Sequence, residues 1–124
     1  MNDKLIIVPT YDEKENVGPV SKAVFAVIPD AHILFVDDNS PDGTGRLLDE
    51  MAAGDPRVHV LHRPGKSGLG RAYIAGFKWG IERRYNLLFE MDADFSHDPA
   101  ELANFVKAAA SADLVLGSRY VNGI

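Results

Sequence analysis

The stretch LLFEMDADFSHDP, from Leu87 to Pro99, combines the pattern of a buried strand with a group of acidic residues. Its first five residues, LLFEM, are largely apolar, as a strand inside a sheet requires. Asp92 and Asp94 follow directly. Because residues two apart on an extended backbone face the same side, we expect these two carboxylates to lie close together. The stretch therefore predicts a strand that ends in a pair of carboxylates.

Two neighbouring carboxylates repel each other unless a proton or a cation lies between them. Mg²⁺ and Mn²⁺ accept oxygen ligands, and Mg²⁺ commonly binds one or two carboxylates together with substrate phosphates. Asp92 and Asp94 are therefore predicted to bind a divalent metal and a phosphate at the carboxyl end of the strand. The alternative for such residues is a helix cap, and for Asp98, which precedes Pro99, the cap is favoured.

Strand and helix patterns alternate along the rest of the chain. Strands are predicted at residues 4–9, 31–36, 57–61, 87–91 and 114–116, and helices at residues 16–28, 44–51, 69–84 and 99–110. The connections are short, and no internal repeat or linker interrupts the alternation. This order predicts an α/β fold in a single domain over residues 1–124, a three-layer open and mostly parallel sheet with helices on both faces.

Composition excludes several classes of function. The net charge of -5, without a basic stripe, argues against a nucleic-acid partner. The absence of cysteine excludes disulfide and thiolate chemistry and permits a reducing compartment, so a cytoplasmic location is expected. No apolar run approaches the roughly 18 residues of a membrane-spanning helix, so unaided membrane insertion is not expected. What remains is a globular domain that acts on, or binds, a small ligand.

Ligands of open parallel sheets bind beyond the carboxyl ends of the strands. Candidate ligand contacts, most of them polar or aromatic, follow four of the predicted strands at that edge. They are Pro9, Tyr11 and Glu13 after the first strand, Asp37 and Asp38 after the second, Asp92 and Asp94 after the fourth, and Arg119 after the fifth. Singly, each has an ordinary structural explanation, such as a helix-start acid for Glu13 or a turn residue for Asp38. Their convergence from four separate loops predicts a binding site.

Five segments of the chain, in this order, resemble one family of enzymes. They are PTYDE at residues 9–13, VDDNSPDGT at 36–44, KSGLGRAYIAGF at 66–77, MDADFSHDP at 91–99 and GSRYVNG at 117–123. Together they are similar to the catalytic domain of dolichol-phosphate mannosyltransferase and related polyprenyl-phosphate glycosyltransferases. The resemblance extends over essentially the whole chain.

The resemblance implies a GT-A fold with a Rossmann-like nucleotide-binding half. It also implies a metal-dependent, inverting transfer of a sugar, with mannose favoured, from a nucleoside-diphosphate sugar to a polyprenyl or dolichyl phosphate. GDP-mannose is the favoured donor, and Mg²⁺ or Mn²⁺ is the implied cofactor. By motif position, the resemblance assigns donor-nucleotide contacts to Pro9, Tyr11, Glu13, Val36, Asp38, Asp92 and Ala93, metal ligation to Asp92 and Asp94, and catalytic roles to Asp94 and Arg119.

Three features of the chain differ from the family pattern. Asp12 replaces a common asparagine, which adds negative charge near the nucleotide. Ser96 stands where some members have a glutamine that assists the metal, so it is not counted as a ligand. The family continues past the position of Ile124 with segments that face the acceptor and dock on a membrane. We therefore expect this chain to be the donor half, with peripheral contact at the cytoplasmic face of a membrane made beyond Ile124.

The implied chemistry needs positive charge more than it needs a base. A metal and Arg119, assisted by Lys66 or Arg71, neutralise the departing diphosphate. An acceptor phosphate, with a second pKa near ~6, is largely ionised at neutral pH. No nucleophile and base pair is evident in the sequence.

Two alternatives remain open. A sugar nucleotidyltransferase shares the nucleotide-binding half, but it usually has a glycine-rich basic loop where this chain has the acidic run DEKE at residues 12–15. A nucleotide-sugar-binding module without turnover fits the sequence equally well.

Overall fold

The computed structural model describes residues 4–64, 68–85, 87–91, 93 and 104, without the side chains of Val27 and Leu69. Within these residues, strands and helices alternate as the sequence predicts. The elements are β1 (Lys4–Thr10), α1 (Val17–Val27), β2 (His32–Asp37), α2 (Thr44–Gly54), β3 (Val58–His62), α3 (Leu69–Glu82) and β4 (Leu87–Glu90). The predicted helix at residues 99–110 and strand at 114–116 lie outside the described residues, except for Asn104, which is helical.

The described strands form one parallel sheet with the order β3-β2-β1-β4. The chain moves outward from β1 to β2 and β3, and then crosses to the other side of β1 to form β4. The strand order therefore reverses between β1 and β4. In open α/β sheets, the crevice at such a reversal, beyond the carboxyl ends of the strands, is where ligands bind.

Both faces of the sheet are covered, which confirms the predicted three-layer α/β architecture. Ile6, Val8 and Phe35 are fully buried on the face covered by α1 and α2. Leu5 and Ile7, which alternate with them, are fully buried on the face covered by α3. Burial on both faces explains why the central strands are continuous apolar runs rather than alternating ones. Strand β3 is less buried, as predicted, because it lies at the edge of the described sheet.

Helix α3 lies close to the sheet because two of its glycines face the strands. A Cβ atom on Gly76 would lie 2.5 Å from Cγ2 of Ile7. A Cβ atom on Gly80, one turn later, would lie 2.8 Å from Cδ2 of Leu88 and 2.9 Å from Cδ2 of Leu5. Since residues four apart share a helix face, the two glycines together open the space that β1 and β4 occupy.

Four aromatic and imidazole side chains, His32, His59, Trp79 and Tyr85, form what we call the amino-edge cluster. His32 Nδ1 lies 2.8 Å from His59 Nε2 and 3.1 Å from Tyr85 Oη, and the Trp79 and His59 ring centroids are 5.0 Å apart. Burial is the main cause that lowers the pKa of both histidines. The charge of Arg57 lowers the pKa of His32 further, and the neighbouring His32 lowers the pKa of His59 further. The cluster therefore favours neutral imidazoles at the amino end of the sheet.

Candidate functional site

Asp37, the last residue of β2, fixes the carboxyl ends of the two central strands. Its side chain is buried, and its Oδ1 accepts hydrogen bonds from Thr10 Oγ1 at 2.9 Å and Ser40 Oγ at 2.6 Å. Its Oδ2 accepts a third from the Ser40 backbone N–H at 3.1 Å. From the sequence, Asp37 is predicted to be one of the residues that face a ligand. The structure instead gives its carboxylate three donors within the protein, so it anchors the loops.

The segments after β1 and β2, residues 11–16 and 38–43, are bonded to each other, and we call them the loop pair. The Asp12 backbone N–H donates to Ser40 Oγ at 3.0 Å, and the Glu13 N–H donates to Thr44 Oγ1 at 3.2 Å. The Lys14 N–H donates to Oδ2 of Asp42 at 3.4 Å. These bonds join residues 28 to 31 positions apart in the chain, so the two loops are held as a unit.

Asp42, whose side chain is exposed, accepts further hydrogen bonds at the end of the loop pair. Its Oδ1 accepts hydrogen bonds from the backbone N–H of Thr44, at 2.9 Å, and from Thr44 Oγ1. Burial raises the pKa of Asp42, but the hydrogen bonds from Thr44 and Lys14 outweigh it, and the pKa lies below its ordinary value. The ionised carboxylate is therefore the form that the loop pair favours.

Left-handed backbone conformations shape the loop pair. Asp12 and Asn39 have φ angles of 57° and 58°, and Gly43 has a φ of 93°. Asp and Asn are the residues other than glycine that enter this region most readily. The structure thus gives a reason why Asp12 can replace the asparagine of the family motif, since both residues suit the same turn.

Pro9 lies where the sheet opens at the reversal of strand order. The Met91 N–H donates to the Ile7 carbonyl at 3.0 Å, and the Asp38 N–H donates to the Thr10 carbonyl at 3.1 Å. Because alternate residues of a strand direct their backbone groups to opposite neighbours, Pro9 shares the β4 side with Ile7. Among the described residues, the pairing of β1 with β4 runs from Lys4 to Ile7 on β1, and Pro9 lies two residues further along the strand. Proline has no N–H to donate to a neighbouring strand.

Asp38 lies beside a cation that sequence analysis did not single out. Arg63 Nη1 is 3.5 Å from Asp38 Oδ1, and both side chains are largely buried. The Arg63 backbone N–H donates to the Asp37 carbonyl at 2.8 Å. The sequence feature that could have identified Arg63 is its position directly after β3, at the same edge of the sheet as the predicted site.

The other predicted nucleotide contacts have different surroundings. Tyr11 is exposed at the edge. Glu13 begins the turn into α1, where its carbonyl accepts the N–H of Asn16 and its Oε2 accepts Asn16 Nδ2 at 2.5 Å. Val36 and Ala93 are buried in the core. Nucleotide contacts at these positions stay predictions.

The predicted metal ligands Asp92 and Asp94, and Arg119, lie outside the described residues. Among the described residues, no group of three or more His, Cys, Asp or Glu side chains is placed to hold a metal ion. The metal site of the sequence analysis therefore stays a prediction. In the same described ranges, no helix has the length and apolar character needed to cross a membrane.

Curated relatives resemble the chain over almost its whole length. A polyprenol monophosphomannose synthase of Mycolicibacterium smegmatis is 57% identical over 121 residues, which is 96% of this chain and 46% of that protein. An undecaprenyl-phosphate mannosyltransferase of Micrococcus luteus is 54% identical over 119 residues, 96% of this chain and 49% of that protein. The chain thus spans about half the length of these curated relatives.

A solved structure shares the fold at low identity. The mannosyltransferase of Pyrobaculum calidifontis in complex with GDP-Man and Mn²⁺ superposes with a TM-score of 0.64 at 20% identity, over 89% of this chain and 32% of that one. This likeness confirms the predicted α/β, GT-A type of fold. The sequence profile of glycosyl transferase family 2 matches residues 5–124. The chain belongs to glycosyl transferase family 2, and the resemblance found in its sequence is confirmed.

Proposed function

We propose that this chain is the donor-binding part of a glycosyltransferase that moves mannose from GDP-mannose to a polyprenyl or dolichyl phosphate. The relatives named for polyprenol and undecaprenyl phosphates support the acceptor class, and the structural neighbour with GDP-Man supports the donor. The structural observation behind the proposal is the loop pair, which Asp37 holds beside the reversal of strand order.

The nucleoside of the donor binds the loop pair. Asp38 accepts hydrogen bonds from N–H or O–H groups of the base or ribose, and the exposed Tyr11 ring offers an apolar face beside them. Pro9 and Glu13 lie on the same side of the sheet. Because the bonds to Asp37 and Asp42 form when the chain folds, little loop ordering remains to oppose binding.

The diphosphate of the donor binds at the end of β4, next to Asp92, Ala93 and Asp94. Carboxylates are the hard oxygen donors that Mg²⁺ and Mn²⁺ prefer, so Asp92 and Asp94 are the residues that would hold the ion. When bound, the ion neutralises charge on the departing diphosphate. Arg119 adds positive potential toward the donor or acceptor phosphate.

The transfer itself is a single displacement. An oxygen of the acceptor phosphate forms a bond to C1 of the sugar as the bond from C1 to the diphosphate breaks, so the configuration at C1 inverts. Because the acceptor phosphate is already largely ionised, no side chain has to remove a proton. The main tasks of the protein are positioning and charge stabilisation. Contact with a membrane at its cytoplasmic face would bring the acceptor to this site.

Calorimetric titration with GDP-mannose, UDP-glucose and UDP-GlcNAc, each with Mn²⁺ or with a chelator, tests the donor proposal. GDP-mannose should bind most tightly, and both the chelator and Asp94→Ala should weaken it. Asp98→Ala is the matched acidic control: it should lower the free energy of unfolding by roughly 1 kcal/mol as a lost helix cap and leave affinity nearly unchanged. Undiminished GDP-mannose affinity in chelator contradicts the metal-dependent proposal.

A paired transfer assay separates an enzyme from a binding module. Radiolabelled GDP-mannose and a polyprenyl phosphate in detergent are supplied to this chain and to a version extended past Ile124, at equal donor saturation. We expect donor binding by both and much faster transfer by the longer version, because the acceptor phosphate must be held in line with C1. Binding without transfer by either version supports the module instead. Equal turnover would show that the acceptor site is already complete within 124 residues.

A further inference from the structure

Arg63 and Asp38 form an ion pair in a sheltered part of the carboxyl edge. Arg63 Nη1 lies 3.5 Å from Asp38 Oδ1, with side-chain exposures of 18% and 8%. Attraction between charges with little access to water is screened less than attraction at the surface. The pair is therefore able to restrict the orientation of both side chains.

The backbone around Asp38 is fixed on two sides. Toward β1, the Asp38 N–H donates to the Thr10 carbonyl at 3.1 Å. Toward β3, the Asp37 carbonyl accepts the Arg63 N–H at 2.8 Å, and Asn39 Nδ2 donates to the Pro64 carbonyl at 3.3 Å. With the backbone held in this way, the main freedom left to Asp38 is rotation of its carboxylate, and the Arg63 guanidinium is next to that carboxylate.

The position of Arg63 in the sheet separates it from the predicted diphosphate site. Strand β3 precedes β2 and β1 in the order β3-β2-β1-β4. With neighbouring strands about 4.8 Å apart, the ends of β3 and β4 are about 14 Å apart, since three spacings lie between them. Arg63 thus lies on the nucleoside side of the proposed donor site, away from the end of β4 where the phosphates are expected.

We propose that Arg63 is a positioning residue, which holds the Asp38 carboxylate in the orientation that binds the nucleoside. This inference rests on the proposed function, in which Asp38 contacts the base or ribose. Arg63 acts through Asp38 and does not contact the nucleotide phosphates. It has a second, structural effect through its backbone bond to Asp37, which side-chain substitutions leave in place.

A double-mutant cycle with GMP tests whether Arg63 acts through Asp38. The variants are Arg63→Gln, Asp38→Asn and the double substitution, and the readout is the GMP dissociation constant without metal. We expect Arg63→Gln to weaken GMP about tenfold, within the coupling seen between neighbouring side chains. In the Asp38→Asn background, the same substitution should change the affinity little. An equal loss in both backgrounds overturns the proposal, because Arg63 would then act independently of Asp38.

The role of the phosphates is tested with guanosine, GMP and GDP. If Arg63 positions Asp38, Arg63→Gln weakens the three ligands by the same factor. A factor that grows with the number of phosphates overturns the proposal and identifies Arg63 as a phosphate contact. If Asp38→Asn leaves guanosine and GMP affinity unchanged, the proposed function of Asp38 itself is wrong. If Asp38→Asn weakens binding but Arg63→Gln does not, only the proposed role of Arg63 is wrong.

Two further variants control for folding. Arg57→Gln removes another arginine of an ion pair, the one with Asp55 at 2.7 Å, and should leave guanosine affinity unchanged. Arg63→Lys keeps the charge and should restore most of the affinity, although it lacks the fixed fork of the guanidinium. If Arg63→Gln does not fold, Arg63→Lys and Arg63→Met take its place in the cycle, with thermal unfolding measured for each.

Discussion

The two ends of the parallel sheet hold their polar side chains in different ways. At the carboxyl edge, the Asp37 and Asp42 carboxylates accept several N–H and O–H donors, and these bonds fix the loop pair. At the amino edge, burial lowers the pKa of His32 and His59, which contact each other and Tyr85. One edge therefore keeps carboxylates hydrogen-bonded within loops that reach solvent, and the other favours neutral imidazoles within a half-buried cluster. The difference indicates which edge can meet a charged ligand.

Loss of the Asp37 carboxylate should have the largest effect. In Asp37→Ala, Thr10 Oγ1 and the two Ser40 donors lose their acceptor, and the loop pair loses its anchor. We expect the free energy of unfolding to fall by about 3 kcal/mol and nucleotide binding to weaken with it. Chemical denaturation measures the first and calorimetry the second. A loss below about 1 kcal/mol would contradict the role of Asp37 as the anchor.

A substitution between the two edges should be the next most costly. Gly76→Ala places a methyl group 2.5 Å from Ile7 Cγ2, so we expect a loss of about 1–3 kcal/mol despite the better helix propensity of alanine. Gly70→Ala in the same helix meets nothing within 4 Å and should gain about 0.5–1 kcal/mol. Thermal unfolding of both variants checks the difference in sign. Equal stabilisation by the two substitutions would mean that α3 does not lie as close to β1 as described.

The two edges should respond to acid at different pH values. Both histidines have pKa values below their ordinary 6.5, so the unfolded chain binds protons first as pH falls. Their contribution is fully present above pH 6.5 and is lost as the pH falls from there toward their folded pKa values. The pKa of Asp42 is lowered from 3.8, so its contribution is present above that value and is lost only at lower pH.

Urea unfolding from pH 7.5 to pH 3 measures both steps. The upper step is the fall in the free energy of unfolding below pH 6.5. His59→Gln should reduce this fall, and Asp42→Asn should leave it in place. An upper step of the same size in His59→Gln would contradict the assignment of that step to the amino-edge cluster.

The smallest effect is expected next to the carboxyl edge, on the surface. His62 Nε2 and Asp49 Oδ1 are 2.8 Å apart, but their side chains are 51% and 61% exposed. Asp49→Asn should change the free energy of unfolding by no more than about 0.5 kcal/mol, because exposed ion pairs contribute little. This variant is the control for Asp37→Ala. A change as large as that of Asp37→Ala would show that proximity to the edge, rather than burial and hydrogen bonding, decides the cost.

The fold was largely predictable because its determinants are local. Apolar runs and helical periodicity located the first four strands and first three helices to within a few residues, since central strands covered on both faces are continuous apolar segments. The polar carboxyl edge was also predictable from local sequence, because polar residues come at the ends of these apolar runs. The predicted metal and catalytic positions Asp92, Asp94 and Arg119 lie outside the described residues and stay predictions.

The roles of individual edge residues were less predictable because they depend on partners far away in the chain. The sequence shows two adjacent aspartates at the end of β2, but not that Asp37 bonds Thr10, 27 positions away, while Asp38 approaches Arg63. That second contact depends on β3 pairing with β2, which periodicity does not reveal. The need for a left-handed residue at Asp12 was likewise invisible, because φ is set by the bonds of the loop pair.

Paramagnetic broadening by Mn²⁺ in NMR spectra of the 124-residue chain tests the central claim, that the carboxyl edge binds the donor, most directly. Strand β2 spans six residues, so the two edges are about 20 Å apart at roughly 3.3 Å per residue, and broadening falls steeply with distance. With GDP-mannose and Mn²⁺, amide signals of residues 10–13 and 36–40 should broaden, those of His32 and His59 should not, and Asp94→Ala should abolish the effect. Strongest broadening at His32 and His59 would contradict the account, since the metal would then bind the opposite edge of the sheet.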